Sequence, residues 1–283
     1  MSAHSQRTVE AIVPAIRQLE GGGFEVRRPF PTATLAQVDP FLLLDHMGPV
    51  DLGPGEAKGA PDHPHRGFET VTYMLQGSME HEDSAGHAGR IGPGDVQWMT
   101  AGSGVIHSEM PIDEIRRDGG RVHGFQVWVN LPAKDKMIPP RYQEYAADQI
   151  PEVHHDDGVT VRVIAGKVDK VRGAVETRTP VTYLHVTLPP GTQFDAPVPA
   201  SQNAMVYGIS GSGEGELVVF AHDGDVVEVA NTNETEPREV LLLAGEPLRE
   251  PIARYGPFVM TTKAQLVEAV DDFQAGRFGA IAR

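Results

Sequence analysis

HPHRGFETVTYMLQG, residues 63–77, holds the first side chains whose types and spacing could do chemistry. His63 and His65 stand at i and i+2. On a strand such residues face the same way, roughly 6 to 7 Å apart along the chain, so two imidazoles leaning together can converge on one ion. Alone, the pair is as readily two solvated residues on the rim of a strand. Beyond the turn-rich TAGSGV, however, comes His107-Ser108-Glu109 with the same spacing. Two neighbouring strands of a barrel, each presenting one such pair inward, would supply His63, His65, His107 and Glu109 to a single metal. With no cysteine in the sequence, any metal must be held by imidazole and carboxylate. Three imidazoles and a carboxylate leave open positions on a six-coordinate ion for water, a chelating substrate or dioxygen, as in non-haem iron oxygenases. The donor set suits iron, and also manganese, nickel, copper or zinc.

Other residues near these motifs are weighed against plainer roles. Glu69 has the parity of His63 and His65, but the run to it crosses Gly67. It is expected to assist Glu109 in proton transfer from outside the coordination sphere rather than to ligate. His81 and Asp83, in the charged EHEDSAGH, are expected at a solvated hairpin tip. His87, His123, His154, His155, His185 and His222 have no evident partner and are expected to be surface or satisfied polar residues. Phe68, Trp98 and Met99 are expected in the core rather than on a pocket wall.

The elements that must position these groups are strands. Thirty-one Gly and 23 Pro punctuate many short apolar runs, the pattern of an all-β chain joined by tight turns. Strands are expected over residues 69–75, 94–99, 122–129, 160–165, 182–188, 205–209, 225–229 and 239–243. Residues 131–151, with Pro132, Pro139, Pro140 and Pro151, read as an irregular connector. One helix is expected near the end: Thr262 and Gln265 form a capping-box pattern, Leu266, Val270 and Phe273 recur at helical spacing, and Gly276 ends the run.

A chain of 283 residues suits two domains of about 130 to 140 residues each. These are expected at 1–140, carrying the metal, and 141–283, lacking ligands. The halves resemble each other. TYMLQGSMEHE set over VYGISGSGEGE matches Tyr73 with Tyr207, Gly77 with Gly211, Ser78 with Ser212, Glu80 with Glu214 and Glu82 with Glu216, which points to a tandem duplication. The same offset puts Pro197 and Pro199 where His63 and His65 sit. Proline ligates nothing through its side chain, so the second copy cannot repeat the first one's chemistry.

The formal net charge of −15 argues against a protein that grips phosphate backbones. No apolar run approaches the roughly 20 residues that cross a bilayer, and the N-terminus has no export signal. Together these imply a cytoplasmic protein without nucleic-acid or membrane partners, and nothing in the sequence demands more than a monomer.

DHPHRGFETVTYMLQGSMEHEDSAGH, PGDVQWMTAGSGVIHSEMP, FQVWVNLP, AGEPLREPI and YGPFVM closely resemble the pirin family, a branch of the cupin superfamily. The resemblance spans nearly the whole chain. It implies a bicupin, two antiparallel β-barrels of the jelly-roll kind, with iron in the N-terminal one only, and it places the family's four ligands on His63, His65, His107 and Glu109. Two functions follow from it. The leading one is a quercetin 2,3-dioxygenase-type oxygenase, an enzyme that opens flavonols or similar phenolics with dioxygen. The competing one is a redox-responsive iron protein that regulates a transcription factor or metabolic enzyme through protein contact.

Overall fold

The structure is a computed structural model and describes residues 5–282. It is all-β, a tandem of cupin barrels, with one short helix near the C-terminus. All eight expected strands are present, among them Phe68–Gln76, Val96–Thr100, Gly120–Asn130 and Asn203–Ser210. Among the described residues no helix is long and apolar enough to cross a membrane.

The chain forms two compact units that are not consecutive halves. One, here the histidine unit, comprises residues 17–28, 41–147 and 248–283; the other, the apolar unit, comprises the segments up to residue 16, 29–40 and 148–247.

In the histidine unit a long sheet runs in the order Arg141–Tyr145, Val96–Thr100, Phe68–Gln76, Gly120–Asn130, Phe41–Leu52, Phe24–Phe30, Ile16–Glu20. A four-stranded sheet runs Ala60–His65, Val105–Pro111, Met79–Asp83, Ala88–Ile91. Two of these strands depart from the sequence expectation. The expected connector contains Arg141–Tyr145, which pairs with Val96–Thr100 directly after Pro139 and Pro140. Ala60–His65 has two prolines and one alanine as its only non-polar side chains, so no apolar alternation marks it.

The capped helix forms as expected, at Lys263–Gln274. Thr262 Oγ1 accepts from the Gln265 backbone N–H at 3.2 Å, and Gln265 Oε1 accepts from the Thr262 N–H at 3.1 Å. Its Leu266, Ala269 and Val270 pack with Phe258 and Phe278, whereas Phe273 stays 38% exposed.

The apolar unit repeats the architecture with a different filling. Val159, Val161 and Val163, then Leu184, Val186 and Leu188, then Val240, Leu242 and Ala244 alternate along three strands and meet in one buried cluster with Phe194, Phe220, Val227 and Val229. Every second side chain of each strand points the same way, so this alternation packs one face of the sheet with hydrocarbon. Pro197 ends strand Gln193–Pro197, opposite Val226. The duplication is visible in backbone form as well: Gly77 and Gly211 both follow their strands at φ +77°, a left-handed conformation that glycine adopts without steric cost.

An edge of the apolar unit is supplied by the start of the chain. Strand Val9–Pro14 pairs antiparallel with Glu216–Phe220. Arg7, just before it, is buried, and its guanidinium donates to the carbonyls of Gly224 (3.1 Å), Gln202 (2.9 Å), Val198 (3.3 Å) and Pro199. Arg7→Met keeps the stem but strips four carbonyls of a charged donor. It is expected to lower the stability of this unit by about 2 to 3 kcal/mol in urea unfolding; a midpoint equal to that of the unaltered protein would contradict the assigned role.

Candidate metal centre

Strands Ala60–His65 and Val105–Pro111 are antiparallel neighbours, and His63 lies directly opposite His107. Cross-strand partners share a face, so both imidazoles and that of His65 point into the barrel. The ring centres stand 4.7 Å (His63–His65), 4.3 Å (His63–His107) and 4.8 Å (His65–His107) apart. One potential ligand atom from each of the three histidines lies within 4.8 Å of the others. A register shift follows: Glu109 pairs with Ala60, two residues being skipped on the facing strand. Such a bulge re-aims a side chain, and Glu109 Oε2 comes to 3.9 Å from His107 Nε2.

The protonation states follow from burial. Desolvation, reinforced by the neighbouring His107 and His63, holds the His65 imidazole well below its ordinary value. Desolvation likewise lowers His107, to about 4, with His63 and His81 adding to the effect and Glu109 and Asp83 opposing it. Both rings are therefore neutral at pH 7, the state in which a ring nitrogen can donate a lone pair. Burial works against the Glu109 carboxylate, but the neighbouring imidazoles and hydrogen bonds from Thr72 Oγ1 (2.8 Å) and Gln126 Nε2 (2.9 Å) more than offset it, and its pKa is lowered. His63 Nδ1 hydrogen-bonds to the Pro61 carbonyl at 2.8 Å, which makes Nδ1 the protonated nitrogen and leaves Nε2 with the lone pair. His65 Nδ1 and both ring nitrogens of His107 are buried with no hydrogen-bond partner. Unsatisfied buried polar atoms are rare, and since an imidazole gives one nitrogen to an ion, an unpartnered nitrogen on each of two facing rings is what a cation site requires. The residues fit a bound metal.

The other expected site residues fall differently. Glu69 does not join the group. Thr72 and Gln126 are cross-strand partners on the face that meets Glu109, and Glu69, three residues before Thr72, lies on the other face, where Thr100 Oγ1 donates to it at 2.6 Å. The parity with His65 is broken because Arg66 and Gly67 intervene between the two strands. His81 and Asp83 are not at a solvated tip: they pair with Glu109 and His107 and are 1% and 3% exposed, the turn beginning only at Ser84. His81 Nε2 stands 2.6 Å from Glu144 Oε1, and Asp83 Oδ2 stands 3.0 Å from His87 Nδ1. His123 is buried against His46, with an Nε2–Nε2 distance of 2.7 Å, and His185 Nε2 meets Glu239 at 3.0 Å. Trp98 and Met99 are core residues as expected; Phe68 is buried too, its ring 5.1 Å from that of His65.

A cavity of about 480 Å³ opens onto the cluster. Its apolar wall includes Phe24, Val26, Leu43, Met47 and Trp128; its polar wall includes Thr72, Gln126, Glu109, Arg28 and Asp45. Trp128 stands edge-on to His65 at 5.3 Å, with the Arg254 guanidinium 4.8 Å from its ring centre. Apart from Glu109, none of these wall residues stands out by its local spacing. They come from strands far apart in sequence, and only the pairing of those strands reveals them.

Barrel, inward histidine cluster and second apolar barrel together define a bicupin with a metal-binding cupin fold in its first copy. The family model for pirin matches residues 23–129, and that for the pirin C-terminal cupin domain matches residues 183–279. The chain belongs to the pirin family. A pirin-like protein of Solanum lycopersicum is 44% identical over 96% of this chain and 93% of its own length. Human pirin is 42% identical over 97% of this chain and 95% of its own. A crystal structure of quercetin 2,3-dioxygenase from Acinetobacter baumannii superposes with a TM-score of 0.91, at 36% identity, covering 98% of this chain and all of that one.

In the cavity wall, Arg28 donates from Nε and Nη2 to the two carboxylate oxygens of Asp45 at 2.6 and 2.5 Å. Burial raises the Asp45 carboxyl to about 6, Arg28 opposing. A carboxyl whose pKa rises on folding contributes stability that is fully present below its unfolded value and lost as pH climbs through the folded one. Asp45→Asn should therefore flatten the stability–pH profile between about 4 and 6. It should also cost about 1 to 3 kcal/mol at pH 7 by removing the more buried of the two carboxylates that Arg28 meets, Glu20 at 2.8 Å being the other. Urea unfolding at a series of pH values reads both; parallel profiles for the two proteins would refute the assignment.

Proposed function

We propose that this chain binds one iron ion through His63, His65, His107 and Glu109 and acts as a quercetin 2,3-dioxygenase-type enzyme, cleaving flavonols or similar phenolic enols with dioxygen. The observation that carries the proposal is the imidazole trio, with His65 and His107 buried and carrying unpartnered nitrogens, opening onto a cavity that has an aromatic and aliphatic wall. The likeness to the Acinetobacter enzyme over nearly the full length of both chains supports the reaction class.

When bound, iron would acidify a coordinated enol hydroxyl and bring dioxygen next to the activated carbon. The chain's own residues do the rest. Glu109, oriented by Thr72 and Gln126, accepts the hydroxyl proton. Leu43, Met47 and Trp128 offer flat apolar surface to a planar ring and keep water from it. Phe68 and Trp128 pack on the His65 ring and hold it edge-on. Glu69, on the far face of its strand, takes no part.

Metal-free protein loaded anaerobically with iron(II), given quercetin and then oxygen, is expected to consume the flavonol and release carbon monoxide. Chelation should abolish turnover and iron should restore it. His107→Ala should contain no stoichiometric metal and turn nothing over. No turnover with iron, manganese, nickel, cobalt or copper would remove the dioxygenase reading.

A further inference from the structure

The residue after His65 has no role in the reaction described above, yet it is held from several sides. Arg66 is 4% exposed. Its Nη2 donates to Asp272 Oδ2 at 2.6 Å, its Nε donates to the Ser103 carbonyl at 2.7 Å, and its guanidinium lies 4.6 Å from the centre of the Phe278 ring. Its main chain is tied as well: the N–H donates to the Pro257 carbonyl at 3.3 Å, and the carbonyl accepts from the Val259 N–H at 3.0 Å.

Gly67 continues the pattern. It sits at φ +90°, and a Cβ there would fall 2.1 Å from the Val259 carbonyl oxygen, so the two backbones touch only because the side chain is missing. The Gly67 carbonyl accepts from Lys136 Nζ at 2.7 Å; the same ammonium donates to the Val259 carbonyl at 3.0 Å and to Asn130 Oδ1 at 2.6 Å. Residues 257–278 therefore grip the dipeptide that follows His65 through main chain, ion pair, ring face and a shared lysine. All these contacts lie within the histidine unit.

We infer that Arg66 is a positioning residue for His65, and that the C-terminal segment, acting through Asp272 and Arg66, is an energetically coupled part of the metal site. The inference rests on the metal reading given under Proposed function. A planar guanidinium with fixed donor directions sets the course of the chain where a flexible ammonium would not. Because Arg66 is largely removed from water, loss of Asp272 strands a buried charge instead of merely deleting a contact, whereas Asp272 also meets Arg277. Coupling is reciprocal: if the segment steadies His65 for an ion, an ion held by His65 steadies the segment.

The test uses the full-length protein, stripped of metal and titrated with zinc(II) as a redox-inert probe and with iron(II) under anaerobic conditions. The unaltered chain is compared with Arg66→Met, Asp272→Asn and Asp272→Glu. Arg66→Met and Asp272→Asn are expected to bind metal ~10-fold more weakly or worse, whereas Asp272→Glu, which keeps the carboxylate, retains affinity. Hydrogen exchange across residues 257–278 should slow on metal addition in the unaltered protein and in Asp272→Glu, but not in the other two. Thermal unfolding of the metal-free proteins shows which variants fold; if Arg66→Met does not, Asp272→Asn decides. Equal affinity in Asp272→Asn, or exchange in 257–278 that is indifferent to metal, overturns this inference alone. Failure of the unaltered protein to bind metal overturns it together with the metal reading.

Discussion

Placing three imidazoles side by side inside a barrel is the constraint on which the rest of the histidine unit depends. A buried polar atom without a partner costs about 1 to 3 kcal/mol, and here His65 Nδ1 and both nitrogens of His107 are in that position at once. A fold carries such a cost only if surrounding structure prevents the rings from turning away. The enclosing elements do that: paired strands put His63 opposite His107, Phe68 and Trp128 flank His65, and the Pro61 carbonyl fixes the tautomer of His63. The same enclosure sets the charge state. Desolvation keeps His65 and His107 neutral, and hydrogen bonds from Thr72 and Gln126 favour an ionised Glu109. Neutral imidazoles beside a carboxylate are a donor set for a cation.

The second barrel shows what the same architecture does without that constraint. Where the first copy turns histidines, threonine and glutamine inward, the second turns Val161, Val163, Leu184, Val186 and Leu242, which fill the space with hydrocarbon. Duplication followed by opposite solutions in the two interiors explains why glycines such as Gly77 and Gly211 keep their backbone conformation while His63 and His65 are replaced by prolines. Turn geometry belongs to the fold and persists. Inward side chains belong to the chemistry and diverge.

Much of this was legible in the amino-acid sequence, for identifiable reasons. Strands such as 160–165 and 182–188 are bounded by turn residues and need no tertiary information, and the Thr262–Gln265 capping box is a wholly local signal. The i, i+2 histidines and the His107–Glu109 pair could be read because a strand's period of two is short-range. Glu69 stays outside the expected ligand set because Gly67 interrupts the run to it, and it lies on the other face; the His81–Asp83 pair goes astray where charge is taken to mean solvent. Arg66–Gly67 resets the face before Glu69, and His81 and Asp83 are buried because they pair with Glu109 and His107. The partners of Trp128, Arg28 and Asp45 depend on which strands lie side by side, 17 residues apart for Arg28 and Asp45 and farther for Trp128 and Arg254, which no local pattern encodes.

Long-range attachment also bears on what the centre can select. Arg66 and Asp272 are 206 positions apart, and Lys136, 69 positions from Gly67 and 123 from Val259, bridges the two. A ligand strand anchored only by its own turn could relax around any ion, and the order of affinities would then follow the intrinsic preferences of the divalent metals. A ligand strand tied to a helix and two further backbones cannot shift without disturbing those contacts. Differences in preferred bond length and coordination number are then resisted by the scaffold, so geometry gains weight against intrinsic affinity in deciding which ion is held. In the proposed centre the C-terminal helix, which presents no ligand of its own, bears on selectivity through Asp272 and Arg66.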